Sequence, residues 1–397
     1  QPGSSRLRLK SAELMSNEPG HLAYYSEQEP FVHVRRLGHG SNAVVDEVKG
    51  MPSGEFAGKV FARKTLWVTF KGQVDEVLRE VQMMKSLRHP HMISVVLAYE
   101  EIEERRKGRR PYKIIMEPVA DTNLADYLEH IEDLLVTVSD SDKEHGQEAR
   151  RVRDQLLGWF GCLAVGMAYI HEKRIRHGDI KPANILIRGS QVLYADFGLS
   201  QAFATSVTTK TYGKDGMQGT PRYVAPEIAG SKARGRSSDV FSLGCVFAEV
   251  LTVLSRMRLA AFASYLGPPG SRAYCAHPEK VLRWLFHTRA LHVSNQSSSQ
   301  SKDKGSYFDY DSMWSSSVLM QHPTPELRPM AYQVASAVHS SEWSRVTYQG
   351  CCSGFPFKQP PSRELGVVRP PMEICLNALS PKATISWDQI PQFRYHQ

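Results

Sequence analysis

Apolar and polar positions alternate on either side of a glycine-bearing stretch, LGHGSNAVVDEV from Leu37 to Val48, and a period of two predicts the paired strands of a hairpin. The apolar run that closes on FARK, Phe61–Lys64, predicts a third strand. From about Val74 to Leu87 the period changes. Val81, Met84 and Leu87 recur at helical spacing and predict a helix whose apolar stripe turns towards a sheet. YKIIMEPVAD, Tyr112–Asp121, reads as a further strand running out into a linker. A long helical pattern follows from about Arg150 to His171. Its middle, within LLGWFGCLAVGMAYIHE, is apolar for about fifteen residues, too few to span a membrane, so it predicts a buried core helix.

The chemistry is concentrated just after that helix. HGDIKPAN, His177–Asn184, is followed twelve residues later by Asp196, Phe197 and Gly198. Phosphoryl transfer asks little covalent chemistry of a protein; it needs a carboxylate facing the acceptor hydroxyl and oxygen ligands for a metal on the phosphates. Asp179 fits the first need, Asn184 and Asp196 the second. Upstream, Gly38 and Gly40 let backbone approach a phosphate without side-chain clash. A plain surface hairpin would read the same way. A dinucleotide-binding turn would instead want a helix directly after the glycines and an acidic residue about twenty positions on. Here the residue twenty-one positions after Ala43 is a cation, Lys64.

Taken in order, these motifs resemble the eukaryotic protein kinase family over roughly Phe31 to Ser340. The resemblance implies an α+β bilobal fold, with an antiparallel N-lobe sheet plus one regulatory helix and a mostly helical C-lobe. It implies that ATP is the nucleotide, with Leu37, Gly38, Gly40, Val45, Ala62, Lys64, Met116, Glu117, Val119 and Leu186 around it, Met116 as gatekeeper. Asn184 and Asp196 would hold Mg2+, Asp179 would accept the proton of the acceptor hydroxyl, and Lys181 would contact the γ-phosphate. Lys64 would pair with Glu80 on the regulatory helix, with Glu76 as the alternate. Met84, Val95, His177 and Phe197 would stack between the lobes. Asp239 would hold the catalytic-loop backbone, and Glu227 would pair with Arg328.

Lys181 and Thr220, the latter within GTPRYVAPE, are the residues that serine/threonine kinases carry, so protein substrates with Ser or Thr acceptors are expected. One departure stands out. Gly178 occupies the position where arginine is usual, removing the cation that in many kinases binds a phosphorylated activation loop. The segment from Leu199 to Arg222 still offers Thr205, Ser206, Thr208, Thr209, Thr211 and Tyr212, with Lys210, Lys214 and Arg222 as cationic partners. Activity without loop phosphorylation is the expectation. A pseudokinase scaffold is the alternative, motivated by Gly178, by Ala43 in the third glycine position and by the long tail.

Length and charge refine this reading without redirecting it. The chain of 397 residues has room for a kinase domain at 31–340, an N-terminal extension at 1–30 and a proline-rich tail at 341–397, with the lobes divided at about 117–120. The net charge of +8 is modest for that length, and its densest basic run, Arg105–Arg110, directly follows four glutamates, so it reads as a solvated turn. A nuclear import signal is the other reading of that run. No aromatic–basic interleaving accompanies it, and nucleic-acid binding is not expected. The six cysteines, Cys162, Cys245, Cys275, Cys351, Cys352 and Cys375, show no paired metal-binding spacing, and no secretory or membrane-spanning stretch is visible, which points to an intracellular protein of cytoplasm or nucleus. The chain starts at Gln1 and so also reads as a fragment. Surface loops are expected at about Val136–Gln147 and Ser294–Ser306.

Overall fold

The computed structural model describes residues 22–24, 29–39, 43–68, 71–101, 110–138, 142, 145–197, 221–230, 235–297, 311–340 and 351–352. They fall into two compact units, the first holding residues up to 88, 92–121 and 196–216, the second holding 89–91, 122–195 and the remainder.

The first unit is a six-stranded sheet with one helix. Its strands are β1 (Leu22–Tyr24), β2 (Phe31–His39), β3 (Ala43–Gly50), β4 (Val60–Val68), β5 (Ser94–Glu101) and β6 (Arg110–Glu117), in the order β1-β5-β6-β4-β3-β2. Among the described strands of this sheet, β1 pairs parallel to β5 and the other neighbours are antiparallel. Strand β1 comes from the segment read as an N-terminal extension, so the sheet begins before the glycine-bearing hairpin. Helix α1 (Lys71–Ser86) is seated by Val77, Val81 and Met84, all buried at i, i+4 and i+7 spacing. Lys85 in its last turn complements the helix dipole.

Alternation along β4 gives the sheet two different faces. On one, Phe31, Val48, Phe61, Leu97, Tyr99 and Ile115 form an apolar cluster. Each such large side chain contributes roughly 1.5–3 kcal/mol when fully buried. Beside it lies a half-buried carboxylate: Glu29 accepts from Arg63, from the Tyr99 hydroxyl and from Lys113 Nζ, the last at 3.0 Å. The other face carries the candidate site.

The second unit is mostly helical, so the α+β class holds. A small sheet of β7 (Thr122–Asn123), β8 (Ile185–Arg188) and β9 (Gln191–Tyr194) runs in that order. Gly189, at φ 56°, supplies the left-handed residue that the tight β8–β9 turn requires. Asn123 also caps α2 (Leu124–Thr137), its Oδ1 accepting from the Ala125 and Asp126 amides at 3.0 and 3.1 Å. The scaffold helix α3 (Gly146–Glu172) is buried almost continuously from Leu156 to Ala168. It is tied to the β8–β9 hairpin by Trp159 Nε1 donating to Ser190 O at 2.7 Å and Tyr194 Oη donating to Leu163 O at 2.8 Å.

The short helix α4 (Pro226–Ala229) precedes α5 (Arg236–Leu254), whose Phe247 stacks on Phe160 of α3. Among the described residues α5 is the one helix long and apolar enough to cross a membrane, but 89% of that window is buried inside the unit, as in a core helix. The unit continues through α6 (Leu259–Leu266), α7 (Pro278–Ser297), α8 (Asp311–Met320) and α9 (Ala331–Ser340), the last packed on α3.

Two element boundaries differ from the sequence reading. Helix α3 starts at Gly146, inside the expected loop, because its first two turns bury only a few positions, among them Ala149 and Val152, and a solvent-facing helix start carries little apolar signal. Helix α7 likewise runs on to Ser297, past the Ser294 at which a loop was expected.

Candidate active site

Cross-strand pairing brings four of the expected nucleotide contacts onto one face of the sheet. Lys64 on β4 lies opposite Val45 on β3, and Ala62, two residues earlier, lies opposite Met116 on β6. Directly paired residues share a sheet face, as do residues two apart on one strand, so all four side chains emerge together. Ala62, Lys64 and Met116 are buried and Val45 is half-buried. Of the other expected nucleotide contacts, Leu37, Gly38 and Val119 are half-buried and Glu117 is exposed; Gly40 lies outside the described residues.

Lys64 is 2% exposed, which a cation tolerates only with a charged partner. Its Nζ donates to Asp196 Oδ1 at 2.7 Å. Asp196 has φ 58°, a left-handed conformation that aspartate tolerates better than most residues, and its carboxylate remains 38% exposed. The expected partner Glu80 is half-buried on α1; the side chain of Glu76 lies outside the described residues.

Asp179, Lys181 and Asn184 form a compact group in the second unit. Lys181 Nζ donates to Asp179 Oδ2 at 2.8 Å, and Asn184 Nδ2 donates to the same oxygen at 2.9 Å and to Asp179 O at 2.8 Å. Asn184 itself is buried and fixed through its own amide, which donates to Lys181 O at 3.0 Å. With Nδ2 committed to Asp179, Oδ1 is the asparagine atom left to meet a cation. Leu186, two residues on, is half-buried on β8.

The loop carrying Asp179 is held from below by one carboxylate. Asp239 accepts from the amides of His177 and Gly178, both at 2.9 Å, and contacts His171 Nε2 at 3.1 Å. Burial opposes ionisation of Asp239, yet the His171 hydrogen bond, the charges of His171 and His177 and the Gly178 amide together hold its carboxyl below the usual range. Gly178 sits at φ 83°, where glycine is at no disadvantage.

Glu227 and Arg328 also meet as expected, in a doubly hydrogen-bonded pair at 2.7 and 2.8 Å with Arg328 fully buried. Arg222 is different from its sequence reading. It is committed to buried Glu249 at 2.9 Å and to the Tyr274 hydroxyl at 3.2 Å, so it is engaged within the fold rather than held for a phosphorylated loop residue. Thr220 and the phosphorylatable positions before it lie outside the described residues. Sequence reasoning missed the Glu29 group entirely. It also missed a convergence of His91, Cys162, Cys351 and Cys352, whose only local clue is the Cys351-Cys352 doublet.

A sheet face with a buried lysine against an aspartate, and a loop in which lysine and asparagine both hold a second aspartate, are the parts that phosphoryl transfer uses. Residues 31–258, more than half of the chain, match the family model for the protein kinase domain. The chain belongs to the protein kinase family. It is 31% identical over 226 residues to "Serine/threonine-protein kinase PLK4" of Danio rerio, covering 56% of this chain and 21% of that protein. It is 33% identical over 197 residues to "MAP kinase kinase kinase wis4" of Schizosaccharomyces pombe, covering 46% and 12%. With "Calcium/calmodulin-dependent protein kinase type 1" of Macrobrachium nipponense it shares 25% identity over 248 residues, 62% of each chain. The matched regions thus span less than two thirds of each of these relatives.

Proposed function

We propose that this chain is an ATP-dependent serine/threonine protein kinase that transfers the γ-phosphoryl group to Ser and Thr hydroxyls of protein substrates. The observation that carries the proposal is the double restraint on Asp179 by Lys181 and Asn184, which aims one carboxylate from a loop whose backbone is itself pinned by Asp239. The name of one relative, "Serine/threonine-protein kinase PLK4", supports the Ser/Thr assignment.

In this reading Asp179 orients the acceptor hydroxyl and takes its proton as the oxygen–phosphorus bond forms and the bond to the departing ADP breaks. Lys181 offsets charge on the transferring group, and Lys64 offsets charge on the α- and β-phosphates. A divalent ion, magnesium in the proposal, would neutralise phosphate charge; Asn184 Oδ1 and the part-exposed Asp196 carboxylate are hard oxygen donors of the kind it prefers. Val45, Ala62 and Met116, apolar side chains on one sheet face, would receive adenine.

The test is phosphorylation of a degenerate peptide library by the purified chain beside Lys64→Met and Asp196→Asn. Incorporation on serine and threonine that both substitutions abolish supports the proposal; a wild-type chain that binds nucleotide with magnesium yet transfers nothing would make it a scaffold. Because Gly178 supplies no cation beside Asp179, we further propose activity without loop phosphorylation. Phosphatase treatment should leave the rate unchanged, and its loss would defeat that part of the reading.

A further inference from the structure

Four side chains with soft or borderline donor atoms converge in the helical unit, and none belongs to the site described above. His91 lies in the turn after α1, Cys162 in the middle of α3, and Cys351 and Cys352 in a turn that begins eleven positions after the end of α9. Their ligating atoms all fall within 4.8 Å of one another. We propose that they form a structural zinc site, Cys3His, that fastens the Cys351–Cys352 turn to the scaffold helix.

Three of the six distances among these atoms are those of a tetrahedron's edges, and none exceeds 4.8 Å. With Zn–S of about 2.3 Å and Zn–N of about 2.0–2.1 Å, tetrahedral coordination puts sulfurs about 3.8 Å apart and nitrogen about 3.5 Å from each sulfur. Cys162 and Cys351 Sγ are 3.7 Å apart, Cys351 and Cys352 Sγ 3.6 Å, and His91 Nε2 is 3.4 Å from Cys351 Sγ. The fourth edge, His91 Nε2 to Cys352 Sγ, is 2.7 Å and has to lengthen by about 0.8 Å on metal entry.

The histidine is independently set for this role. Its Nδ1 lies 2.8 Å from the carbonyl oxygen of Val192, which can only accept, so Nδ1 carries a proton and Nε2 is the ring atom aimed at the thiols. An outer carbonyl fixing the tautomer in this way is the usual support of a metal-bound histidine. The His91 backbone is held as well, its carbonyl accepting from Tyr194 N at 2.9 Å. A plain imidazole–thiol contact would account for one cysteine. It gives no reason for three thiols to gather around one nitrogen in a site where His91, Cys162 and Cys352 are buried.

Three thiolates and an imidazole favour zinc over magnesium or calcium, and four protein ligands leave no position open for substrate, which marks a structural site. Two of the four lie far beyond residue 258, where the match to the kinase family ends. The site therefore needs this chain's C-terminal segment as well as two residues of the matched region, and it stands whether or not the chain transfers phosphate.

The experiment is elemental analysis of the full purified chain, followed by zinc release on mercurial titration of the thiols and by cobalt(II) reconstitution. One zinc per chain is expected, with tetrahedral cobalt bands and thiolate charge transfer. The double variant Cys351→Ser/Cys352→Ser should lose the metal, His91→Cys should keep it with a stronger thiolate band, and Cys275→Ser, a half-buried thiol outside the group, should be neutral. X-ray absorption on the wild-type zinc form reads the sulfur and nitrogen count without any variant, so misfolding of a mutant cannot mask the answer. Wild-type chain with no stoichiometric metal, metal undiminished in the double variant, or a Cys162–Cys351 disulfide in chain prepared without reductant would each overturn the assignment.

Discussion

The amide of Gly178 donates to Asp239 Oδ1 at 2.9 Å, so a carboxylate sixty-one residues downstream positions the residue next to Asp179. Asp239→Asn would turn one acceptor into a donor facing amide N–H groups. The expected result is a destabilisation of about 1–3 kcal/mol, the cost of a buried group left unsatisfied. Peptide phosphorylation should fall at least tenfold with little change in nucleotide KM. An unchanged kcat would show that the loop keeps its shape without this acceptor.

Arg328→Ala removes one partner of a fully buried pair and leaves Glu227 charged inside the fold. The expected loss is on the order of 3–5 kcal/mol. It should appear as a large fall in Tm, with a smaller change in ATP affinity. Arg328→Lys should recover only part of it, because an ammonium cannot make both of the guanidinium's parallel bonds to Glu227.

Lys64→Met removes the charge while keeping length and apolar bulk. Its partner Asp196 is part-exposed and can be solvated, so Tm should shift little while phosphoryl transfer drops by about two orders of magnitude or more. A variant that unfolded instead would place Lys64 among the structural charges.

Glu29→Ala should cost on the order of 3 kcal/mol, because Arg63 and Lys113 then lose their shared carboxylate. Acid should reproduce part of this. Burial opposes ionisation of Glu29, but the Tyr99 hydrogen bond and the charges of Arg63 and Lys113 outweigh it and lower its pKa from the ordinary 4.5. A carboxyl with a lowered folded-state pKa contributes stability above its unfolded value and loses it as pH falls through the folded one. Asp239 has the same sign from an ordinary 3.8. The contribution of these two carboxylates should therefore be flat above about pH 5 and fall below 4.5. Glu29→Gln should show a shallower acid decline, read from Tm against pH.

The parts of the site that were legible in the sequence are those whose chemistry is local. Asp179, Lys181 and Asn184 lie within six residues, so their grouping was legible, although their hydrogen bonds to one another were not read from the sequence. The Glu227–Arg328 pair spans 101 positions and was legible only through family resemblance. The Glu29 group and the His91–Cys352 cluster span 84 and 261 positions with no motif to announce them, since an isolated carboxylate or thiol looks alike on a surface and in a core until the chain is folded. Helix α3 was legible where it is apolar and illegible at its polar start.

Arg63 and Lys64 are neighbours in the chain that serve opposite faces of one sheet, the guanidinium bound to Glu29 and the ammonium to Asp196. Sliding β4 by a single residue would exchange them, because every side chain changes face at once. The planar fork would then arrive where a point charge is wanted, and the compact ammonium where Glu29 and Asp46 await a guanidinium. Strand alignment in this sheet is thus checked twice over by charge, and a misregistered chain would be wrong in its chemistry as well as in its packing.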